Sequence, residues 1–168
     1  MKRAITTGLF VSILIVIVLG AFGFLGTVQW GSGPLPFPEV EIRILCAASE
    51  SYKTDTGHYP SDSATTDQLN PNTTFDPAAY IASSAFLYRA LAGGSKNYLV
   101  HSNFPAKMLK TNNAGITYIV DPWGNSIGYS TFKFAHPNSP DGYNTTFDLW
   151  STGGNSTKVD PTHWIRNW

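Results

Sequence analysis

Apolar residues follow three patterns along the chain, and each predicts a different element. From Ile5 to Val28 there is no charged residue over 24 positions, and the centre of the run reads Leu9-Phe10-Val11-Ser12-Ile13-Leu14-Ile15-Val16-Ile17-Val18-Leu19. A helix of about 20 apolar residues spans the hydrocarbon core of a bilayer. Lys2 and Arg3 precede the run, which predicts a cytoplasmic amino terminus and an extracytoplasmic remainder. Two readings share this pattern. A retained anchor is favoured because the apolar run continues past Gly23 to Leu25; a cleaved secretory signal would use the small residues Ala21 and Gly23. Gly31-Ser32-Gly33-Pro34-Leu35-Pro36-Phe37-Pro38 then reads as an extended linker, since each proline lacks an amide donor and restricts its predecessor. The expected organisation is an anchor over 1–29, a Gly/Pro linker over 30–38 and an extracytoplasmic domain over 39–168.

The second pattern is helical. Between Glu39 and Lys53, Val40, Ile44, Ala47 and Ser51 fall on one face, with Leu45, Ala48 and Tyr52 beside them. Glu39 and Glu41 suit the positive end of the helix dipole, and Gly57 ends the segment. Ser61 to Thr74 is polar and aperiodic, so it predicts a loop. Asp76-Pro77 predicts a second helix start, with Asp as cap and Pro at the first helical position. Ile81, Ala85, Tyr88 and Leu91 share a face of that helix, and Gly93-Gly94 stops it.

The third pattern is that of strands. Ile116 to Val120 is β-branched and aromatic; Ser126 to Phe134 alternates loosely through Ile127, Tyr129 and Phe132. Thr145 to Ser151 places Phe147 and Leu149 on one face and Asp148 and Trp150 on the other. Helices first and strands afterwards predict an α+β fold with a small antiparallel sheet.

Charge narrows the range of functions. Eleven basic and eleven acidic residues balance, and only 13% of the 168 residues are charged. Two of the basic residues precede Glu39, which leaves nine against eleven, a net of −2. No basic footprint for nucleic acid is present, so no nucleic-acid partner is expected. Cys46 is the single cysteine, which excludes an internal disulfide. It sits mid-helix among Leu45, Ala47 and Ala48 and reads as a small buried hydrophobe rather than a nucleophile.

No Gly-x-Ser-x-Gly, His-Glu-x-x-His or phosphate-loop motif occurs, and the chain is expected not to be an enzyme. His58, His101, His136 and His163 lack the paired spacing of a zinc site and read as turn or surface residues. Asp121-Pro122-Trp123-Gly124-Asn125 is turn chemistry, with Trp123 expected to plug into the sheet; the competing role for Trp123 is a ligand-stacking platform. Asn72, Asn144 and Asn155 each begin an Asn-x-Ser/Thr triplet, which a Thr/Asn-rich chain forms by chance. The loop from Thr152 through Asn155 to Asp160 offers one carboxylate and one amide oxygen, a thin ligand set for a hard cation, or else a polar loop pinned by Trp164 and Trp168.

Three segments in order carry a resemblance. Tyr52-Lys53-Thr54-Asp55-Thr56-Gly57-His58-Tyr59-Pro60 resembles the end of the long helix in the major pseudopilin of bacterial type II secretion. Asp121-Pro122-Trp123-Gly124-Asn125 followed by Tyr129 resembles that family's Asp-Pro-Trp-Gly-Asn turn. Phe147-Asp148-Leu149-Trp150-Ser151-Thr152-Gly153 resembles its Tyr-Asp-Leu-x-Ser-x-Gly strand and loop, with Asp160 and Trp164 echoing its ending. The likeness covers about residues 39–168.

It implies a pilin-like fold, an amino-terminal helix packed on a small antiparallel sheet, in a non-enzymatic subunit of a secretion or pilus apparatus. Partners would be other pilin-like subunits or secretion-apparatus proteins, with the membrane held through residues 5–28. The place implied is the bacterial inner membrane, single-pass, with the carboxy-terminal domain in the periplasm or outside the cell. The competing function is an anchored extracytoplasmic binding module, for example for glycans. The resemblance also implies a calcium loop holding Thr152, Asn155 and Asp160. The family has Asp where Asn155 stands, so calcium is expected to bind weakly or not at all. Its prepilin cleavage motif has Glu at the fifth position of the apolar run, where Ile13 stands here after Gly8-Leu9. The amino terminus is therefore expected to escape prepilin peptidase.

Overall fold

A computed structural model describes residues 37–102, 104–154 and 163–168, leaving out the side chains of Phe37 and His101. The expected anchor and most of the expected linker lie outside these residues. Among the described residues no helix is long and apolar enough to cross a membrane.

Helix α1 runs Phe37–Thr56. It begins inside the segment expected to be linker. Pro38 sits in its first turn, the one helical position range where a missing amide costs nothing. The buried stripe is Ile42, Leu45 and Ala48, with Ser49 beside them, while Ala47 and Ser51 are exposed. The core-facing side is thus rotated away from the one expected through Val40, Ile44, Ala47 and Ser51. Two apolar stripes compete on this helix, and the one that delivers Ile42, Leu45 and the half-buried Tyr52 to the core has the bulk. At the other end Gly57 has φ +87° and donates its amide to the Lys53 carbonyl at 2.8 Å, a left-handed cap.

Asp76 caps the next helical segment as expected: its Oδ1 accepts from the Ala78 amide at 2.9 Å, with Pro77 following. The first turn, Pro77–Tyr80, is a 3-10 turn that leads into α2, Ile81–Ala92. Leu87 and Leu91 enter the same core as α1. Ser84 clamps α2 to the strand beneath it. Its buried hydroxyl donates to the Ile119 carbonyl at 2.8 Å and accepts from the Ile119 amide at 2.9 Å. A short helix α3, Tyr98–His101, follows, and Tyr98 packs edge-on against Tyr52 of α1.

The strands are short. β1, Leu109–Thr111, and β2, Thr117–Ile119, form an antiparallel hairpin. β3, Gly128–Ser130, β4, Asp148–Ser151, and β5, Ile165–Arg166, form an antiparallel sheet in that order. The chain is therefore α+β with small antiparallel sheets and helices against them.

The expected long strand over 126–134 is cut at Ser130. The Ser130 hydroxyl accepts from the Phe132 amide at 3.0 Å, and Phe132–Ala135 turns into a short helix, α4. The alternation of β4 does hold. Phe147 and Leu149 join the main core with Tyr129, and Trp150 joins a second cluster with Leu69, Tyr80 and Trp164.

Candidate functional site

The resemblance places its weight on the Asp121–Asn125 turn and on the exit from β4, and these two segments meet. Asp121 leaves the strand side of Val120, which bridges Ser126 across the turn. The Asp121 carboxylate is buried and fully engaged. Its Oδ1 accepts from the amides of Trp123 at 3.0 Å and Asn125 at 2.9 Å. Its Oδ2 accepts from the Ser151 hydroxyl at the end of β4 at 2.7 Å. One short acidic side chain thus closes its own turn and ties that turn to the neighbouring sheet.

Beyond Ser151 the backbone tightens. The Gly153 amide donates to the Ser151 hydroxyl at 3.1 Å, and Asn125 donates its side-chain amide to the Thr152 hydroxyl at 3.3 Å. Gly154 lies against the face of Trp123: a Cβ there would stand 3.0 Å from the indole, and φ is +85°. Trp123 itself is 53% exposed. At that exposure it does not plug into the sheet; it stands at the surface with Gly154 against its ring.

Of the three residues placed in the calcium loop, Thr152 lies among the described residues; it is buried, and its hydroxyl already accepts from Asn125. Asn155 and Asp160 lie outside them. Among the described residues no group of three or more His, Cys, Asp or Glu side chains could hold a metal ion.

The other candidates separate in space. His58 is exposed, with Nδ1 at 3.0 Å from the Tyr59 carbonyl; His136 is exposed and stacks on Phe132. Cys46 is half-buried, and burial pushes its thiol up to about 11, which removes the thiolate a nucleophile needs. The Asn72 side chain accepts from the Gly142 amide at 2.7 Å, and the Asn144 amide donates to the Phe147 carbonyl at 3.2 Å. Both side chains hold loops in place, a use that a glycan would displace.

Sequence reasoning missed Glu41. Its carboxylate is buried, neither oxygen has a hydrogen-bond partner among the described residues, and burial pushes it up to about 7. The Lys107 ammonium opposes that rise and the Asp121 carboxylate adds to it. A glutamate in the first turns of a helix reads as a solvated dipole partner, so no local signal marks its burial.

No protein-family model, no curated protein and no solved structure matches this chain.

Proposed function

We propose that the chain is a non-enzymatic, membrane-anchored, pseudopilin-like structural component of a type II secretion or pilus-like apparatus, with its folded domain outside the cytoplasm. The observation that supports this reading is the placement of the three resembling segments. Tyr52 to Pro60 is the end of α1 and its Gly57 cap, Asp121 to Asn125 is the turn between the hairpin and the sheet, and Phe147 to Gly153 is β4 and its exit. The long amino-terminal helix lies on antiparallel strands, the arrangement a pilin-like fold requires. The outward side of α1, with Arg43, Ala47, Glu50 and Ser51 exposed, is available for packing against neighbouring subunits. Photo-crosslinking residues introduced at Ala47 and Ser51 in native membranes test this. Adducts with a second copy or another pilin-like chain are expected. A chain that stays monomeric from both positions would end the reading.

The exposure of Trp123 favours a second function, an anchored glycan-binding module. An aromatic face open to solvent is the feature sugars stack on. A glycan array probed with the chain separates the two: binding lost on Trp123→Ala supports the module.

A further inference from the structure

A pocket of about 210 Å³ opens where the end of α1 meets α4 and the loop before β4. Its lining comes from Lys53, the turn from Gly57 to Tyr59, Phe134 of α4, and Thr145 and Thr146, with Ser61 beside them. All of these are exposed or half-buried, so a ligand in the pocket reaches them. None belongs to the Trp123 turn.

The apolar part of the lining is aromatic and already in place. Phe134 is 61% exposed and makes no ring contact among the described residues. A phenyl ring held in water beside a pocket offers its face to an apolar surface. The Tyr59 ring is fixed by the Lys53 ammonium, 4.4 Å from its centroid, and by Phe147 at 5.0 Å.

The polar part is uncommitted. Among the described residues the hydroxyls of Ser61, Thr145 and Thr146 make no hydrogen bond. The Nδ1 of His58 faces the Tyr59 carbonyl at 3.0 Å; a carbonyl only accepts, so Nδ1 carries the proton and Nε2 is left as an acceptor. The pocket thus offers donors and acceptors together. Its one cation is answered locally. Lys53 donates to the Tyr59 hydroxyl at 3.2 Å, and that hydroxyl donates to Glu50 Oε1 at 2.8 Å, so a carboxylate stands behind the ammonium.

These features select among small ligands. A wholly apolar ring would bury the free hydroxyls without partners. An inorganic anion supplies acceptors only, leaves the Phe134 ring uncovered and meets a cation that Glu50 already balances. A pyranose has an apolar C–H face and a rim of hydroxyls that both donate and accept. The volume lies below the roughly 300 Å³ at which drug-sized sites begin, which suits one such ring.

We propose that this pocket binds a single uncharged pyranose unit of a glycan. Its C–H face covers Phe134, and its hydroxyls pair with those of Ser61, Thr145 and Thr146. The site is separate from Trp123 and stands whether or not Trp123 holds a sugar.

The test uses the full chain in a polyoxyethylene detergent, which has no sugar headgroup, read by saturation-transfer difference NMR. The neutral probes are the methyl β-pyranosides of glucose, galactose, mannose and N-acetylglucosamine. Methyl β-glucuronide and cyclohexylmethanol are compared with them, and inorganic phosphate is added as competitor. At least one neutral pyranoside is expected to bind more tightly than both comparison compounds and to resist phosphate. Phe134→Ala should weaken that binding roughly fivefold, while Phe134→Tyr, which keeps the ring, retains it. Thr145→Val, which exchanges the hydroxyl for a methyl group, should weaken it roughly two- to tenfold. Trp123→Ala should leave it unchanged.

No response from any neutral pyranoside, displacement by phosphate, or tighter binding of the glucuronide or of cyclohexylmethanol would overturn the proposal. So would affinity unchanged in both Phe134→Ala and Thr145→Val. Binding lost in Trp123→Ala and kept in Phe134→Ala would place the sugar on Trp123, overturning this site while supporting the glycan-binding module.

Discussion

Gly128 in β3 faces Trp150 in β4 across the sheet, and a Cβ on Gly128 would fall 2.1 Å from the indole ring. Trp150 is wholly buried, with Tyr80, Trp164 and Trp168 around it, so the ring has nowhere to move. Gly128→Ala is expected to cost about 3 kcal/mol, the upper range for overpacking a close-packed core. Thermal unfolding by near-ultraviolet circular dichroism reads both stability and the tryptophan environment. Replacing Trp150 by Leu in the same chain should relieve most of the alanine penalty, giving strongly non-additive losses. Additive losses would show that the two residues do not meet.

Asp121 is the single acceptor for two amides of its own turn and for Ser151 of the next strand. Asp121→Ala leaves all three donors without that acceptor and should destabilise by about 3 kcal/mol or more, since hydrogen bonds to a charged group contribute about 1.5–3 kcal/mol each. Asp121→Asn keeps one carbonyl oxygen for the turn amides, and the Ser151 hydroxyl can rotate to accept from the new amide group. It should cost less than half as much. Chemical denaturation of the two variants checks the order, and equal losses would mean that charge, not geometry, holds the turn.

Ser84 offers a more local measurement. Its hydroxyl is the partner of both backbone groups of Ile119 at the contact of α2 with β2. Ser84→Ala should cost about 1–3 kcal/mol through the Ile119 amide left unsatisfied, since the Ile119 carbonyl still accepts from the Ile127 amide at 3.1 Å. Amide exchange at Ile119 should accelerate more than at Leu149, which lies in the other sheet. Uniform acceleration would indicate global destabilisation without a specific clamp.

The elements that could be read from sequence are those whose signals are local. The Asp76-Pro77 cap, the Gly57 stop and the alternation of Phe147, Leu149 and Trp150 depend on neighbours a few residues away, and the structure has them where they were expected. Elements set by distant contacts were not legible. β1 is three residues, Leu-Lys-Thr, and exists because β2 pairs with it. The buried face of α1 is chosen by what the sheet can cover, and two stripes on that helix were equally periodic. Ser130 stops β3 through a side chain that also donates to the Leu69 carbonyl, 61 residues away. In the candidate site, the turn chemistry of Asp121 was readable, while its bond to Ser151 and the exposure of Trp123 were products of the assembled fold.

Glu41 gives the pH dependence a defined sign. Burial raises its carboxylate from 4.5 to about 7, with Asp121 adding to the rise and Lys107 opposing it. A group raised on folding takes up its proton more readily in the folded chain than in the unfolded one. Its contribution is fully present below about pH 4.5 and is lost as pH rises through about 7. The difference corresponds to a loss on the order of 3 kcal/mol between acid and mildly alkaline solution. Asp148, also raised by burial, tilts the profile the same way. The chain should therefore unfold at lower denaturant concentration at pH 8 than at pH 5. Glu41→Gln removes the titrating group while keeping the shape, so it should stabilise the chain at pH 8, leave pH 5 nearly unchanged and flatten the slope between them. Denaturant midpoints measured at the two pH values on both chains decide it. A variant that keeps the full slope would show that the Glu41 carboxylate finds water or a cation that its surroundings here do not provide.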